Sequence, residues 1–473
     1  MKPILSILPV DLIDRVLDEA FQLLNNLGFR LHDAEAAHLL VKAGAKIEAE
    51  VAHISEDLIR RSLASVPKKF ELFNRQGDPV VHYSGDEVQF DPGSCAVNVL
   101  DPITKEHRPS QSTDLIQIVK VAEMLPQISA QSTAVVCHDS PEVIGDLYRL
   151  YLVLQYSNKP IVTGAFTADG LKPMLNLLAV DAGSPEALKK KPRAIFDVCP
   201  SPPLYWTDFA ARNLVDLARA GVPAEMVSMP LAGATAPVTL IGSVVQHAAE
   251  CLAGITIHQL ASPGAPIVWG GAPAIFDMRS GTTPLGAIET AMIVAAYTQV
   301  GKSLGLPTHG YMCASDSKIV DAQAGLESGM TALIGSLAGV NMISGAGMLD
   351  FLACMSAEKL VIDAEAIAMT QRLARGVTLP RDSLALSTFA QTGLAGEFLK
   401  LQETRKLFKE EQYLPSKVID RNSIRAWEQS GKTDAFERAH QRVEDLIDQY
   451  QQPELSSHTL KEFEKVLDRA LQK

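Results

Sequence analysis

Six aromatic side chains fall at or just past the ends of short apolar runs: Phe166, Tyr205, Trp206, Trp269, Phe276 and Tyr311. Aromatic residues make up only 6% of the chain, so their gathering at such positions is informative. Ring faces hold a quaternary ammonium, whose charge is spread over its methyl groups and whose nitrogen offers no hydrogen to bond. Arg279, a lone cation after one of these runs, has the planar fork that grips a carboxylate; its plainer role is an ion pair with Asp277. Asp316 stands in the polar loop Ser315-Asp316-Ser317-Lys318, where it could position an amine, orient Lys318 or cap the next helix. Tyr205, Trp269, Phe276, Arg279, Tyr311 and Asp316 are therefore the candidate substrate-binding residues, and no residue is assigned as a catalytic nucleophile or acid. Any one ring alone reads more simply as core; the group reads as a pocket.

The elements that must position these residues follow a regular beat. Apolar runs at about 95–100, 128–136, 159–165, 193–199, 224–230, 266–271, 307–313 and 339–345 read as eight strands. Between them, helical periodicity covers 112–125, 142–157, 207–220, 238–260, 284–303 and 321–338. Units of roughly 30 to 40 residues are the length of a strand with its crossover helix. Eight of them predict an α/β chain built as a (β/α)8 TIM-type barrel, in which loops after the strands converge on one face. Asp91-Pro92-Gly93 reads as a turn ahead of the first strand. The expected organisation is a helical N-terminal region over 1–87, the barrel over 88–376 and a helical C-terminal extension over 377–473. Helical extensions at both ends of a barrel commonly serve packing between copies, so a homo-oligomer is expected.

The balance of charge narrows the partners. Forty-three basic against 55 acidic residues give a net charge of -12, and no stripe of lysine and arginine offers a field for phosphates, so nucleic acid is excluded as a general partner. Lys189-Lys190-Lys191 reads as a solvated surface run. The six cysteines are scattered singly, as reduced core thiols of a cytoplasmic protein. Asp11, Asp14 and Arg15 interrupt the first apolar run, so no leader is expected. The weakly polar stretches around 230–257 and 335–354 are broken by glycine, proline, glutamine or histidine, so no membrane association is expected. GxGxxG opening a helix, GxxxxGK[ST], HExxH and GxSxG are all missing. His309 and Cys313, or Cys137 and His138, lack a third ligand at zinc spacing, so no metal is assigned.

Several longer runs carry a family resemblance. LDPITKEHRPSQSTD (100–114), CPSPPL (199–204), DMRSGTTPLGAIE (277–289), SDSKIVDAQAGLES (315–328) and IDRNSIRAWEQSGK (419–432) together resemble the trimethylamine methyltransferase family, over nearly the whole chain. The resemblance implies a barrel that demethylates a methylated amine and passes the methyl group to cob(I)alamin or a related corrinoid carried by a separate protein, with no cofactor bound intrinsically. Founding members use pyrrolysine, whereas this chain contains only standard residues. A neutral tertiary amine is a poor methyl donor, whereas a quaternary ammonium leaves as a neutral amine and needs no covalent activation, so orientation can suffice. The chain thus looks like the pyrrolysine-free branch, similar to glycine betaine:corrinoid methyltransferases. Glycine betaine is the expected substrate, with proline betaine, carnitine or a butyrobetaine as close rivals. A non-catalytic betaine-binding barrel and a barrel lyase are the readings from other classes.

Overall fold

The computed structural model describes residues 3–167, 169–377 and 384–472. Eight short parallel strands organise it: β1 (Gln89–Pro92), β2 (Gln131–Ser132), β3 (Ile161–Gly164), β4 (Ala194–Val198), β5 (Ala224–Met226), β6 (Ile267–Val268), β7 (His309–Tyr311) and β8 (Met342–Ala346). Ladders join β2 through β6 in order, and separately β7 to β8 to β1. Shorter joins link the two sheets. Between β6 and β7, Trp269 donates its N–H to Pro307 at 2.9 Å and His309 donates to Trp269 at 3.0 Å; between β1 and β2, Ser129 donates to Phe90 at 2.8 Å. The fold is thus α/β with a parallel core.

Helices follow the strands in turn: α1 (Ser112–Met124), α2 (Gly145–Tyr156), α3 (Leu171–Ala182), α4 (Asp208–Ala220), α5 (Leu240–Ala261), α6 (Ile288–Ser303), α7 (Ala322–Ala338) and α8 (Ala357–Ala374). Their starts are written in polar caps: the side chains of Thr207, Thr239, Asp321 and Ser356 each accept a backbone N–H in the first turn of α4, α5, α7 and α8. Each such cap contributes about 1 kcal/mol and fixes where a mouth loop ends. Gly221 and Gly339, at φ 68° and 77°, close α4 and α7 in the left-handed conformation a side chain resists.

Seven strands and six helices stand where the sequence places them. The first strand does not: β1 lies at 89–92, and Asn98–Leu100 instead pairs antiparallel with His107–Pro109 in a separate small sheet. Asp91-Pro92 is therefore strand rather than turn. Pro92 sits at the strand's end opposite Ala346, where a bulge at Gly345 breaks the β8 register and a missing N–H is tolerated.

Helix α5 is buried on nearly all sides for a reason outside the repeat. It has 22 residues, and its most apolar stretch, at mean hydropathy 1.4, is enough by length and composition to cross a membrane, yet 83% of that stretch is buried inside the protein. The N-terminal helices Val10–Gln22, Ala34–Lys42 and Glu56–Ser65 pack over it, so no face is left for water. At the opposite end of the chain, Ala435–Gln449 packs on α8 and α1, and Ser457–Leu471 on α3. The hairpin Phe70–Phe73/Pro79–Tyr83 covers the N-terminal ends of the strands. Its Leu72, Val81 and Tyr83 join Ala130, Val162, Ile195, Val268 and Met342 in a dry inner layer. The expected division after residue 376 stands beside residues 378–383, which lie outside the described residues.

Candidate active site

Two residues further along each strand, the inner face turns polar, as the two-residue period of a strand requires. Asp91 of β1, Asp197 of β4, Glu225 of β5, His309 of β7 and Ser344 of β8 come together above the dry layer. Asp197 and Glu225 occupy paired positions on adjacent strands. Ser344 donates its hydroxyl to Asp91 Oδ1 at 2.6 Å, and His309 Nε2 lies 3.0 Å from that same Ser344 oxygen. His309 Nδ1 lies 3.4 Å from Glu225 Oε1. Tyr83, from the hairpin below, donates to Glu225 Oε2 at 2.8 Å, and Tyr311, from β7, donates to Asp197 Oδ2 at 2.9 Å.

Burial dominates the electrostatics. It raises Asp91 and Glu225 well above the usual carboxylate range, with the charge of Asp197 adding to both. Asp197 is pushed up by burial to about 6, held from rising further by the Tyr311 hydroxyl that favours its charged form. Burial holds His309 down at about 3, so its imidazole is neutral. With the Ser344 hydrogen given to Asp91, neutral His309 donates from Nε2 to Ser344 and leaves Nδ1 as an acceptor toward Glu225. Among the described residues no lysine or arginine pairs with any of the three carboxyls. Asp91 Oδ2, Asp197 Oδ1 and Glu225 Oε1 are buried without a hydrogen-bond donor. Near neutral pH the set therefore carries one negative charge, on Asp197, to which no lysine or arginine is bonded among the described residues.

Around this set the walls are apolar or aromatic. Tyr311 packs with Val227, Ala272, Cys199 and Leu352. Leu352 reaches it from a loop after β8 in which Asp350, Phe351 and Leu352 hold φ values of 49°, 55° and 70°, three successive residues in a conformation that resists side chains. Phe166 folds back along the inner side of Gly164, where any Cβ would come within 2.6 Å of the ring. Gly270 is matched to the site in the same way: a Cβ there would stand 2.6 Å from the Met226 carbonyl and 2.9 Å from His309 Nδ1.

Of the six candidate residues, Tyr311 alone joins the interior set. Trp269 is fully buried between β6 and α6, its indole donating to the Tyr297 carbonyl at 3.0 Å. Tyr205 pairs with the N-terminal strand Phe29–Leu31, its hydroxyl 3.0 Å from His32 Nδ1 and its ring 4.6 Å under the Arg30 guanidinium. Phe276 is half-buried on an extension above β6, where its N–H bonds to Ala232 at 3.0 Å. Arg279 is 91% exposed and bonded to Asp277 at 2.7 Å. Asp316 accepts from the backbone of Leu285 at 2.8 Å and Gly286 at 3.1 Å; burial raises it to about 6. It thereby fastens the loop before α6, while the cap of α7 is Asp321. Reading only the loops past strand ends misses Asp197 and Glu225, which lie inside the strands. A carboxylate in the middle of an apolar run, as in AIFDV and PAEMV, is the signal that finds them.

The model of the family described as trimethylamine methyltransferase (MTTB) matches residues 1–472. The chain is 29% identical over 455 residues to a glycine betaine methyltransferase of Desulfitobacterium hafniense, covering 96% of this chain and 94% of that protein. It is 30% identical over 475 residues to trimethylamine methyltransferase MttB1 of Methanosarcina mazei, covering 98% and 95%. In fold it resembles the Methanosarcina barkeri monomethylamine methyltransferase, with a TM-score of 0.51 at 12% identity over 93% of this chain and 88% of that one.

Proposed function

From the premise that this chain belongs to the trimethylamine methyltransferase family and is a methyltransferase, we propose that it takes a methyl group from a quaternary amine, glycine betaine first, and delivers it to the Co(I) of a corrinoid carried by a separate protein. The observation that carries the substrate class is the buried carboxyl set. Among the described residues no lysine or arginine pairs with its single charge, and the groups around it have donors only for one oxygen each. A quaternary ammonium is the cation that suits such a place: it cannot shed its charge by losing a proton, and it demands no hydrogen-bond acceptor. In this reading Asp197 faces the ammonium, Tyr311 and Phe166 wall it, and the Asp316 loop shapes the approach. Arg279 stays a proposal as the more distant partner for a betaine carboxylate.

The chemistry follows from that placement. The partner's corrinoid supplies the nucleophile. This chain holds the ammonium with one methyl group toward the open, C-terminal ends of the strands and excludes water from the rest, and the leaving group departs as a neutral tertiary amine. The reading also takes the eight strands as a closed (β/α)8 barrel, which the reach of Tyr311 across to a strand it does not pair with supports, flanked by regions 1–87 and 377–473. It takes the protein as cytoplasmic, in keeping with the unpaired cysteines among the described residues. It takes it as a homo-oligomer, in keeping with Leu386, Leu394 and Leu399, each more than four-fifths exposed.

The test is to incubate the purified chain with chemically reduced cobalamin and a panel of amines, following the Co(I) absorbance. Loss of the signal with glycine betaine and not with trimethylamine is the expected result. Turnover confined to trimethylamine, or none with any quaternary amine, would sink the reading.

A further inference from the structure

We propose that Asp197 and Glu225 share one proton and present a single negative charge, carried on Asp197, for which a quaternary ammonium and a second proton compete. The inference rests on the reading of the interior as the quaternary-amine site and adds to it which carboxyl carries the charge and what displaces the ligand.

The geometry comes first. The two side chains stand at paired positions on adjacent strands and point to the same face, each acting on the other's titration. Two ionised carboxylates offer only acceptors, so a hydrogen bond between them needs a proton on one of them. The oxygens left without a donor include one from each, Asp197 Oδ1 and Glu225 Oε1. A single shared proton supplies what both lack. The surroundings decide where it resides. Glu225 lies deepest, fully buried between the Tyr83 hydroxyl below and neutral His309 beside it. Asp197 is 5% exposed and receives the Tyr311 hydroxyl, which stabilises an anion.

The other ionisable neighbours do not supply a counter-charge. Asp91 is occupied by Ser344 and held neutral by burial. The thiols of Cys199 and Cys95 face Asp197 and are themselves raised by burial, so they stay protonated. Behind Cys95, the Arg149 guanidinium lies 6.0 Å from the Phe166 ring and is committed to the Cys95 sulfur at 2.9 Å, to Asp146 at 2.7 Å and to the Thr133 carbonyl at 3.0 Å, and it bonds neither Asp197 nor Glu225. The proton on Glu225 keeps the paired site at one charge instead of two, which matches a monocation. A second proton, arriving on Asp197 near pH 6, cancels that charge and removes the attraction.

Titration calorimetry with tetramethylammonium, which carries the charge and no titratable group, tests this. Affinity should be level between pH 7 and 8 and fall about tenfold per unit below pH 6, since one proton must leave for each cation bound. In buffers of different ionisation enthalpy, about half a proton should be released per cation at pH 6 and none at pH 8. Asp197→Asn should lose the acid limb and bind at least about tenfold more weakly at pH 8. Glu225→Gln, whose amide copies the protonated acid, should keep the limb. Thermal unfolding checks that each variant is folded, and the proton count on the unaltered protein stands if one is not. Affinity flat from pH 5 to 8, or a limb that survives Asp197→Asn and vanishes with Glu225→Gln, overturns the proposal and leaves the function reading intact. Failure of the unaltered protein to bind any quaternary ammonium at any pH instead removes that reading.

Discussion

Tyr311 on β7 donates its hydroxyl to Asp197 on β4 at 2.9 Å, joining two strands that share no ladder. The bond spans the interior and favours the charged carboxylate. Tyr311→Phe therefore raises the pH at which Asp197 takes up a proton and weakens cation binding by about tenfold, the cost of one hydrogen bond to a charged group. The check is the midpoint of the acid limb in tetramethylammonium binding. A midpoint unchanged from the unaltered protein would show that the hydroxyl does not act on Asp197.

Gly270→Ala places a methyl group between the Met226 carbonyl and His309, each closer than 3 Å. Backbone cannot yield there cheaply, so the cost is about 1–3 kcal/mol of stability together with displacement of His309 from Ser344. Urea unfolding measures the first and amine binding the second. Full stability with unaltered binding would contradict the packing described here.

Lys359 is a buried ion-pair partner away from the site. Its Nζ lies 2.6 Å from Asp363 Oδ2 and 2.6 Å from the Ser328 hydroxyl, and Asp363 also accepts the Gly347 N–H at 2.7 Å. Lys359→Met leaves that carboxylate buried without its cation and should cost about 3–5 kcal/mol, whereas replacing both partners by apolar residues should recover much of the loss. A single replacement costing under about 1 kcal/mol would show that the charge is compensated elsewhere.

His258, on α5, is fully buried, and burial holds it down at about 3. Its folded-state value is below the unfolded one near 6.5, so the unfolded chain binds a proton that the folded chain refuses. Its contribution is present above pH 6.5 and is lost as the pH falls toward 3. His258→Leu should therefore gain on the unaltered protein by about 1.4 kcal/mol per pH unit below 6.5. Denaturant unfolding at pH 7, 6 and 5 checks the slope; a constant difference across that range would be the contrary result.

The sequence and the structure agree where local signals point the same way. Helices capped by Thr207, Thr239 and Asp321 are legible because capping and 3.6-residue periodicity coincide. β1 is not legible, because Asp91 and Pro92 carry turn chemistry locally while pairing with β8 overrides it. The aromatic expectation fails to gather for a similar reason. Trp269 and Tyr205 stand at strand ends, yet alternation turns Trp269 outward to α6, and Tyr205 is claimed by an N-terminal strand more than 170 residues earlier in the chain. Asp197 and Glu225 were within reach of pattern reading, since an acid inside an apolar strand has to face something. Tyr83 was not, because nothing near it in sequence reveals that its hairpin ends beneath Glu225.

That hairpin sets the smallest piece of this protein that could work. The floor of the polar chamber is contributed by a segment outside the repeating units, and its Tyr83 hydroxyl is what keeps the deepest carboxyl in its place. A dissected fragment starting at the first strand would retain every inner strand residue and still have an open base, letting water reach the acids from below. Dissection or transplantation of this catalytic framework must therefore carry residues 70–83 with it.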